Sequence, residues 1–493
     1  MTTVFSICIA FSGSSRLNHV SGVWLTLATD LVEGTFYRPL MSDVGYGGTR
    51  FFPLHFTLHA ILIKWGLPPL AAGYLLTLFA TFLMLSGLLL VLLELSVPRQ
   101  DLWIFMVLGL AASSSQLAIT TIRGDLLPAA MTLWGLHYCI RLNDVLSKRY
   151  LCLASLCFTL AFSAKITTLF GPLAASYWLL SKGNGKAASR LIIWISLEIM
   201  IVLLTIYLGS ETRVFTIFSA CATGGAKIGH LIYGPVLMVQ KMATRDVVCF
   251  LTVLVALALI ILFQLWRKPS LAVASFIATA ITTGMIFASP GTDYNHFLDL
   301  YLIAIVVLAS SIPGHVLKPW LYLVLVMTGV ITTTMQVGKL HETYRQLDAV
   351  RKELVQLIQN HQQNGNLVLS QDPLLPVMAK QTPFIMDPFM LRLTREAYPA
   401  ITEDLWNRIR SQTFSAVILK FDPATPRGSE LLSKRHFGPQ FPEVLLEYYR
   451  PHMKPEPGGN YFIYLPRNDS KASESIPPNS LQSLNQQYPH HAY

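Results

Sequence analysis

Arg123-Gly-Asp125 leads directly into Leu126-Leu-Pro-Ala-Ala-Met-Thr-Leu-Trp-Gly-Leu-His-Tyr-Cys-Ile140, and the run ends on Arg141. This is a polar entrance, an apolar run and a basic exit. Residues 126–142 are long enough to form a membrane-crossing helix, because each helical residue advances 1.5 Å and about 20 residues cross the hydrocarbon core. Working outward, the same reading marks 72–95, 101–119, 150–165, 166–181, 190–209, 247–266, 270–288, 297–312 and 316–337 as further spans. Two of them, 150–165 and 166–181, are short and run together, which predicts a helical hairpin broken near Lys165 and Pro172. Residues 3–12 are apolar over half the required length and lack a basic leader, so they read as a shortened first span. Counting it, the chain is an all-α polytopic membrane bundle of eleven spans.

Composition agrees with this reading. Of the 493 residues 53% are hydrophobic and 13% charged, against about 25% charged in soluble domains. The net charge of +10 does not point to nucleic acid, because the basic residues cluster beside apolar runs. The six cysteines form no CxxC pair and read as small packing residues, not as a disulfide or metal framework.

Sidedness follows from lysine and arginine. The loops at 141–149, 182–190 and 267–268 hold eight of them, whereas those near 120–125 and 289–296 hold only Arg123. The positive-inside rule therefore puts the first group in the cytoplasm, and 16–71, 210–246 and the tail from 338 outside it. Glu94 and Glu198 are the carboxylates to check within spans. Glu94 lies near Arg99 at an inner end, and Glu198 must face the bundle interior or find a partner.

The tail divides into a small extracytoplasmic α/β domain over 338–467 and a disordered end, 468–493, rich in Ser, Asn, Gln and Pro. Helices are expected at 340–361 and 402–412, and strands at 366–370, Phe384–Asp387, 415–420 and 461–465. Asp372-Pro and Asp387-Pro read as turn formers. Residues 1–337 make the membrane domain.

Polar groups with chemical potential share the outer side. In the first outer loop, Ser21–Gly34 has helical spacing and predicts an amphipathic helix on the membrane surface. Asp30 and Glu33, three apart, share a face. Tyr37, Arg38, Asp43 and Arg50 follow in an aromatic, glycine-rich loop. Arg123 and Asp125 open a span, Lys165 sits at a break, and Asp293-Tyr294-Asn295-His296 precede another span. Each has an ordinary alternative. Asp125 suits a helix N-terminus, Lys165 suits a lysine snorkelling to the interface, and the surface helix suits a plain anchor. Their common side outweighs these alternatives taken singly.

An outer, membrane-embedded site has no ATP or nucleotide sugar. The activated donor within reach is a sugar on a polyprenyl phosphate. Transfer needs a carboxylate beside the acceptor hydroxyl, and cations beside the departing phosphate, where charge develops. Candidate carboxylates are Asp125, Asp30 and Asp43. Candidate substrate-binding residues are Glu33, Tyr37, Arg38, Arg50, Arg123, Lys165, Asp293, Tyr294, Asn295 and His296. No metal ligand set has convincing spacing: His55 and His59 are i,i+4 without an acidic partner. No cofactor is assigned, and a divalent metal stays open.

Gly22-Val-Trp…Asp30-Leu-Val-Glu-Gly-Thr-Phe-Tyr-Arg-Pro, Tyr46-Gly-Gly-Thr-Arg-Phe-Phe-Pro-Leu, Arg123-Gly-Asp125, Ala164-Lys165 and Asp293-Tyr-Asn-His-Phe resemble segments of the GT-C glycosyltransferases, the group with protein O-mannosyltransferases and lipid A aminoarabinose transferases. The resemblance covers residues 16–337. It implies inverting transfer of a hexosyl or pentosyl unit from a polyprenyl-phosphate donor to a lipid, glycan or protein acceptor. It also implies a multi-pass protein of a bacterial inner membrane, with its tail outside. The family keeps an acidic residue at the start of the interfacial helix; the matching place here reads His19-Val20-Ser21. Arg123-Gly-Asp125 matches the family's second acidic position. A transporter or flippase, or a non-catalytic cell-envelope member of the same fold, remains the alternative.

Overall fold

The structure is a computed structural model that describes residues 17–145, 147–211, 213–223, 228–264, 270–311, 349–361, 366–395, 398–453 and 461–467, with positions 327, 330 and 331. The expected first span at 3–12, most of 316–337, residues 340–348 and the tail end 468–493 lie outside the described residues.

The chain opens with α1 (His19–Val32), whose first turn is capped by Asn18: its side-chain oxygen accepts from Val20 N at 3.1 Å and Ser21 N at 3.2 Å. A short hairpin, β1 (Met41–Ser42) and β2 (Gly45–Tyr46), leads to α2 (Pro53–Lys64) and α3 (Pro69–Glu94). Proline opens both helices, at the position where its missing N–H loses nothing. The bundle continues through α4 (Arg99–Gly109), α5 (Ser113–Thr120), α6 (Leu126–Asp144), α7 (Lys148–Ala164), α8 (Phe170–Ser181) and α9 (Gly185–Gly209). Two helices follow, α10 (Arg213–Thr223), which packs against the tail, and α11 (Ile228–Arg245), which packs on the bundle. The bundle resumes with α12 (Val247–Leu259), α13 (Leu271–Ile286) and α14 (Phe297–Ser311).

Among the described residues three helical runs are long and apolar enough to cross a bilayer: α3, α9 and Tyr294–Ser311. Helices α4 and α5 make a fourth only as a pair, bent by 71° at the break. Val247–Phe263 and α13 are apolar but shorter. Most of α9 presents apolar side chains outward, including Ile193, Leu197, Ile201 and Leu208, as a lipid-facing helix does.

The expected break at Lys165 is present, but the paired hairpin is not. Helices α7 and α8 do not lie against one another; both pack on α6 and α9. Pro172 is not a break, since it sits in the first turn of α8. Glu94 pairs with Arg141 at 2.7 Å and not with Arg99. Glu198 accepts hydrogen bonds from Ser155 and Thr159 of α7, both at 2.8 Å, which satisfies a carboxylate that hydrocarbon would penalise. The bend between α4 and α5 is held by Asp246, a buried residue ahead of α12. It accepts from Ser113 N at 3.0 Å, Ser114 N at 2.8 Å and Cys249 N at 3.3 Å, so one carboxylate caps two helices.

The tail forms a four-stranded sheet of β3 (Leu367–Ser370), β4 (Phe414–Leu419), β5 (Tyr449–Met453) and β6 (Phe462–Pro466), in the order β3-β4-β6-β5. Strands β3 and β4 are parallel and the other pairs antiparallel. Helices α15 (Leu374–Met378), α16 (Pro388–Arg395), α17 (Ala400–Arg410), α18 (Pro426–Leu431) and α19 (Phe441–Tyr448) surround it. The run Phe384–Asp387 is not a strand of this sheet. Its backbone bonds the first loop instead, with Tyr46 N donating to Phe384 O at 2.7 Å and Met386 N to Tyr46 O at 3.1 Å. Strand β5 was not expected. One proline and two ring-bearing polar residues within 449–453 obscure its alternation; Pro451 suits it because β5 is an edge strand.

One apolar core fills the bundle. A second is shared between the first loop and the tail, joining Val23, Trp24, Leu27 and Phe56 to Leu374, Phe384, Met390 and Trp406. Gly22 makes this closeness possible, because a Cβ there would stand 2.4 Å from Leu374 N. The tail and the first loop therefore occupy the same end of the molecule.

Candidate active site

The connection from α5 to α6 passes beneath α1, whose residues Ser21–Ala28 are all buried. A Cβ on Gly124 would lie 2.6 Å from the Trp24 ring, so only glycine lets the loop run there. Trp24 stacks on Phe51 at 4.4 Å and meets His55 edge-on at 4.8 Å. These rings hold the first loop down on Arg123-Gly124-Asp125.

Asp125 precedes α6 but its side chain makes no capping bond. The simple N-cap reading therefore does not describe it. Its carboxylate instead collects Asn295 Nδ2 at 3.2 and 3.3 Å, Lys165 Nζ at 3.3 Å and Arg123 Nε at 3.5 Å. Burial pushes this carboxyl upward. The charges of Lys165 and Arg123, with His296 and the Asn295 bond, outweigh it and hold the group down at about 2. Asp125 is thus a buried, ionised carboxylate.

Lys165 is placed by the break between α7 and the 3-10 turn Ile166–Leu169. Its backbone is extended, and Thr168 satisfies its carbonyl through N at 3.1 Å and Oγ1 at 2.9 Å. The side chain turns into the bundle, between Asp125 and Asp299 Oδ2 at 3.5 Å. A snorkelling lysine would seek water instead. Asn295 and His296 come from a 3-10 turn, Tyr294–His296, entered through Gly291 at φ +78. Arg50 reaches toward the same corner, donating to Ser289 Oγ at 3.3 Å. Lys241 of α11 donates to Thr292 O and stands 3.7 Å from the exposed Asp293.

Other candidates lie apart from this cluster. Asp30 is buried in an ion pair with Arg38 at 2.5 Å, and the second Arg38 nitrogen donates to Pro383 O at 2.8 Å. Asp30 and Glu33 do not share a face: α1 ends at Val32, Glu33 is its exposed cap, and Gly34 turns the chain at φ +96. Tyr37 is buried and its hydroxyl donates to Phe51 O at 2.9 Å. Asp43 is fully exposed, 3.4 Å from Arg408. Of the three candidate carboxylates, Asp125 alone meets Arg123 and Lys165.

Asp299 joins the cluster without having been singled out. The signal was available: it is an acid in the first turn of an otherwise apolar run, and such residues have partners. His55 lies against Trp24. It is 1% exposed, and its Nδ1 has no hydrogen-bond partner. Among the described residues, no group of three His, Cys, Asp or Glu side chains is arranged to hold a metal ion.

The tail adds a second buried polar group at its seam with α1. Asp372 accepts from Lys420 at 2.7 Å, from the Tyr461 hydroxyl at 2.8 Å and from Leu374 N at 3.2 Å. The last bond is the expected turn, and the ion pair was not foreseen. Asp387 likewise accepts from Phe389 N and Met390 N.

No protein-family model matches the chain, and no curated protein matches it. Solved structures do. ArnT from Cupriavidus metallidurans in the apo state aligns over 94% of this chain and 96% of its own, with a TM-score of 0.58 at 10% identity. The same protein bound to undecaprenyl phosphate gives 0.55 at 9% identity, over 94% and 97%. The oligosaccharyltransferase AglB from Archaeoglobus fulgidus, in complex with an inhibitory peptide and a dolichol-phosphate, gives 0.52 at 10% identity, over 97% and 74%. These neighbours are GT-C glycosyltransferases. At such identities the likeness speaks for architecture, and it spans both bundle and tail: the chain has the GT-C glycosyltransferase fold.

Proposed function

We propose that the chain transfers a sugar from a polyprenyl-phosphate donor to an acceptor hydroxyl, with inversion, at the outer face of a membrane. The observation that carries this is the meeting of one buried, ionised carboxylate with two cations: Asp125 with Arg123 and Lys165. A carboxylate accepts the hydroxyl proton. The acceptor oxygen bonds to the anomeric carbon as the bond from that carbon to the phosphate oxygen breaks. The electron pair leaves on the phosphate, whose growing charge Arg123 and Lys165 stabilise.

Asp125 takes the carboxylate role. While both cations attend it, it is a weak base; an entering phosphate competes for them and frees it. His296, Asn295, Tyr294 and Arg50 border the same corner, and Asp293 with Lys241 marks its rim. Asp30 and Arg38 hold the first loop to residue 383, and Glu33, Tyr37 and Asp43 frame that loop. The lysine and arginine count supports placing this end outside the cytoplasm, with eleven spans behind it and the tail above. The undecaprenyl phosphate bound by ArnT and the dolichol-phosphate bound by AglB support a donor of that class.

The test uses purified full-length protein with radiolabelled polyprenyl-phosphate sugars. Wild type should transfer label to a lipid, glycan or peptide acceptor. Asp125→Asn, expressed and folded alike, should lose about 3 kcal/mol or more of transition-state stabilisation, on the order of a hundredfold in kcat/KM. Full activity in the variant removes Asp125 from the chemistry. No transfer from any donor by folded wild type overturns the enzyme reading.

A further inference from the structure

Lys165 lies between two carboxylates and is close to neither. Its ammonium stands 3.3 Å from Asp125 Oδ1 and 3.5 Å from Asp299 Oδ2. Charge-assisted contacts of this kind settle at about 2.7–2.9 Å when made with a single partner. The three residues come from three parts of the bundle: the loop before α6, the break after α7, and the first turn of α14. A cation suspended in this way can shift toward whichever anion is strongest.

Asp299 is otherwise hard to account for. It is 7% exposed, and it is the acid in the run Phe297–Ser311, whose other residues are apolar but for Tyr301, Ser310 and Ser311. Placement in the first turn of a helix favours an acid modestly. That benefit does not explain burial in a span, where a carboxylate is expensive unless paired. Its pairing is also incomplete, because Oδ1 is buried with no hydrogen-bond partner. A half-satisfied buried carboxylate calls for a reason beyond packing.

We infer that Asp299 is a positioning residue for the transfer reaction: it holds Lys165 off Asp125, so that the ammonium is available to an entering phosphate. This rests on the proposed sugar transfer. With Asp299 present, Asp125 does not monopolise the cation, and the shift of Lys165 toward phosphate leaves Asp125 free to take a proton. Without Asp299, Lys165 collapses onto Asp125, and the carboxylate becomes a poorer base just where a base is needed. The charged and titratable groups around this lysine are Asp125 and Arg123 from the α5–α6 loop, His296 from the turn into α14, and Asp299 from the first turn of α14. Arg50 and His55 of the first loop are within electrostatic reach of His296 and Asp125 respectively.

The experiment uses the full-length protein in nanodiscs and has two arms. The first needs no sugar donor: reductive methylation of Lys165 is followed by mass spectrometry, with Lys182 as the exposed internal reference. Asp299→Asn removes one of two anions that keep the amine protonated, so Lys165 should react roughly threefold faster or more. Asp299→Glu should restore the slow rate. An unchanged rate in Asp299→Asn overturns the placement of Lys165, whatever the protein catalyses. The second arm measures transfer. Asp299→Asn should lower kcat by about tenfold to a hundredfold, with the KM for the polyprenyl-phosphate donor changed less than about threefold. The acid limb of its pH profile should move to lower pH, because Asp125 then keeps its proton less readily, and Asp299→Glu should recover part of kcat. Unchanged kcat and pH profile would overturn the inference. So would loss of activity in both variants in step with a lowered unfolding temperature. Absence of transfer by wild type, with the labelling result intact, would fault the sugar-transfer reading and not the placement.

Discussion

Removing Asp30 should damage stability and spare chemistry. Asp30 and Arg38 are 6% and 2% exposed at their side chains and 2.5 Å apart, and Arg38 also holds Pro383 O at 2.8 Å. Asp30→Ala leaves the guanidinium buried with a carbonyl as its remaining partner. Stranding one member of a buried pair costs about 3–5 kcal/mol. Replacing both members, Asp30→Leu with Arg38→Met, removes the stranded charge and should recover most of that loss. The single substitution should therefore lower the apparent unfolding temperature far more than the double one. Both would be read by tryptophan fluorescence in detergent at one fixed scan rate, since irreversible unfolding makes the midpoint scan-dependent. Transfer would be assayed at a temperature where each variant is folded, and the double variant should keep kcat near wild type. A stable Asp30→Ala protein would refute the clamp. A folded but inactive double variant would show that Asp30 belongs to the chemistry and that the assignment to Asp125 is incomplete.

Two further outcomes follow from the seam between the tail and the first loop. Burial pushes Asp372 upward, but Lys420 above all, then His19 and the Tyr461 hydroxyl, bring it down from 3.8 to about 2. A depressed carboxyl contributes stability above its unfolded value and loses it as pH falls through its folded value. Between pH 4 and pH 2 wild type should therefore lose about 2 kcal/mol that Asp372→Asn lacks at every pH. The difference between their unfolding curves across that window measures it, and parallel curves would contradict it. Gly22→Ala should loosen the tail, because its Cβ would stand 2.4 Å from backbone Leu374 N, which no side-chain rotation relieves. Overpacking of this kind costs about 1–3 kcal/mol, and limited trypsin digestion should cut the tail faster than in wild type.

Much of the candidate cluster was legible, because charge pattern alone put Arg123, Asp125, Lys165 and Asn295 at one end of their helices. Apolar runs fix where a helix turns round, and what collects at the turns follows. Choosing among the carboxylates was not legible. Asp30 pairs with a residue eight positions on, and that residue's other partner is 345 positions away. No local spacing carries such a contact. Asp299 was hidden because one acid barely changes the average of an apolar run. The run at 384–387 has the composition of a strand, yet its pairing with Tyr46 depends on how the tail docks. Helix lengths within the described residues differ from the expected runs for a related reason: α12 and α13 are apolar but short, and α4 and α5 bend where Asp246 caps the second of them.

The account turns on where a lipid phosphate binds. A cryo-electron microscopy structure of the full-length protein in nanodiscs containing undecaprenyl phosphate tests it directly. The phosphate should lie within hydrogen-bond reach of Arg123 and Lys165, beneath Trp24, with Lys165 drawn off Asp125. Phosphate density elsewhere, or an empty corner with the Lys165–Asp125 contact unchanged at saturating lipid, would contradict the account.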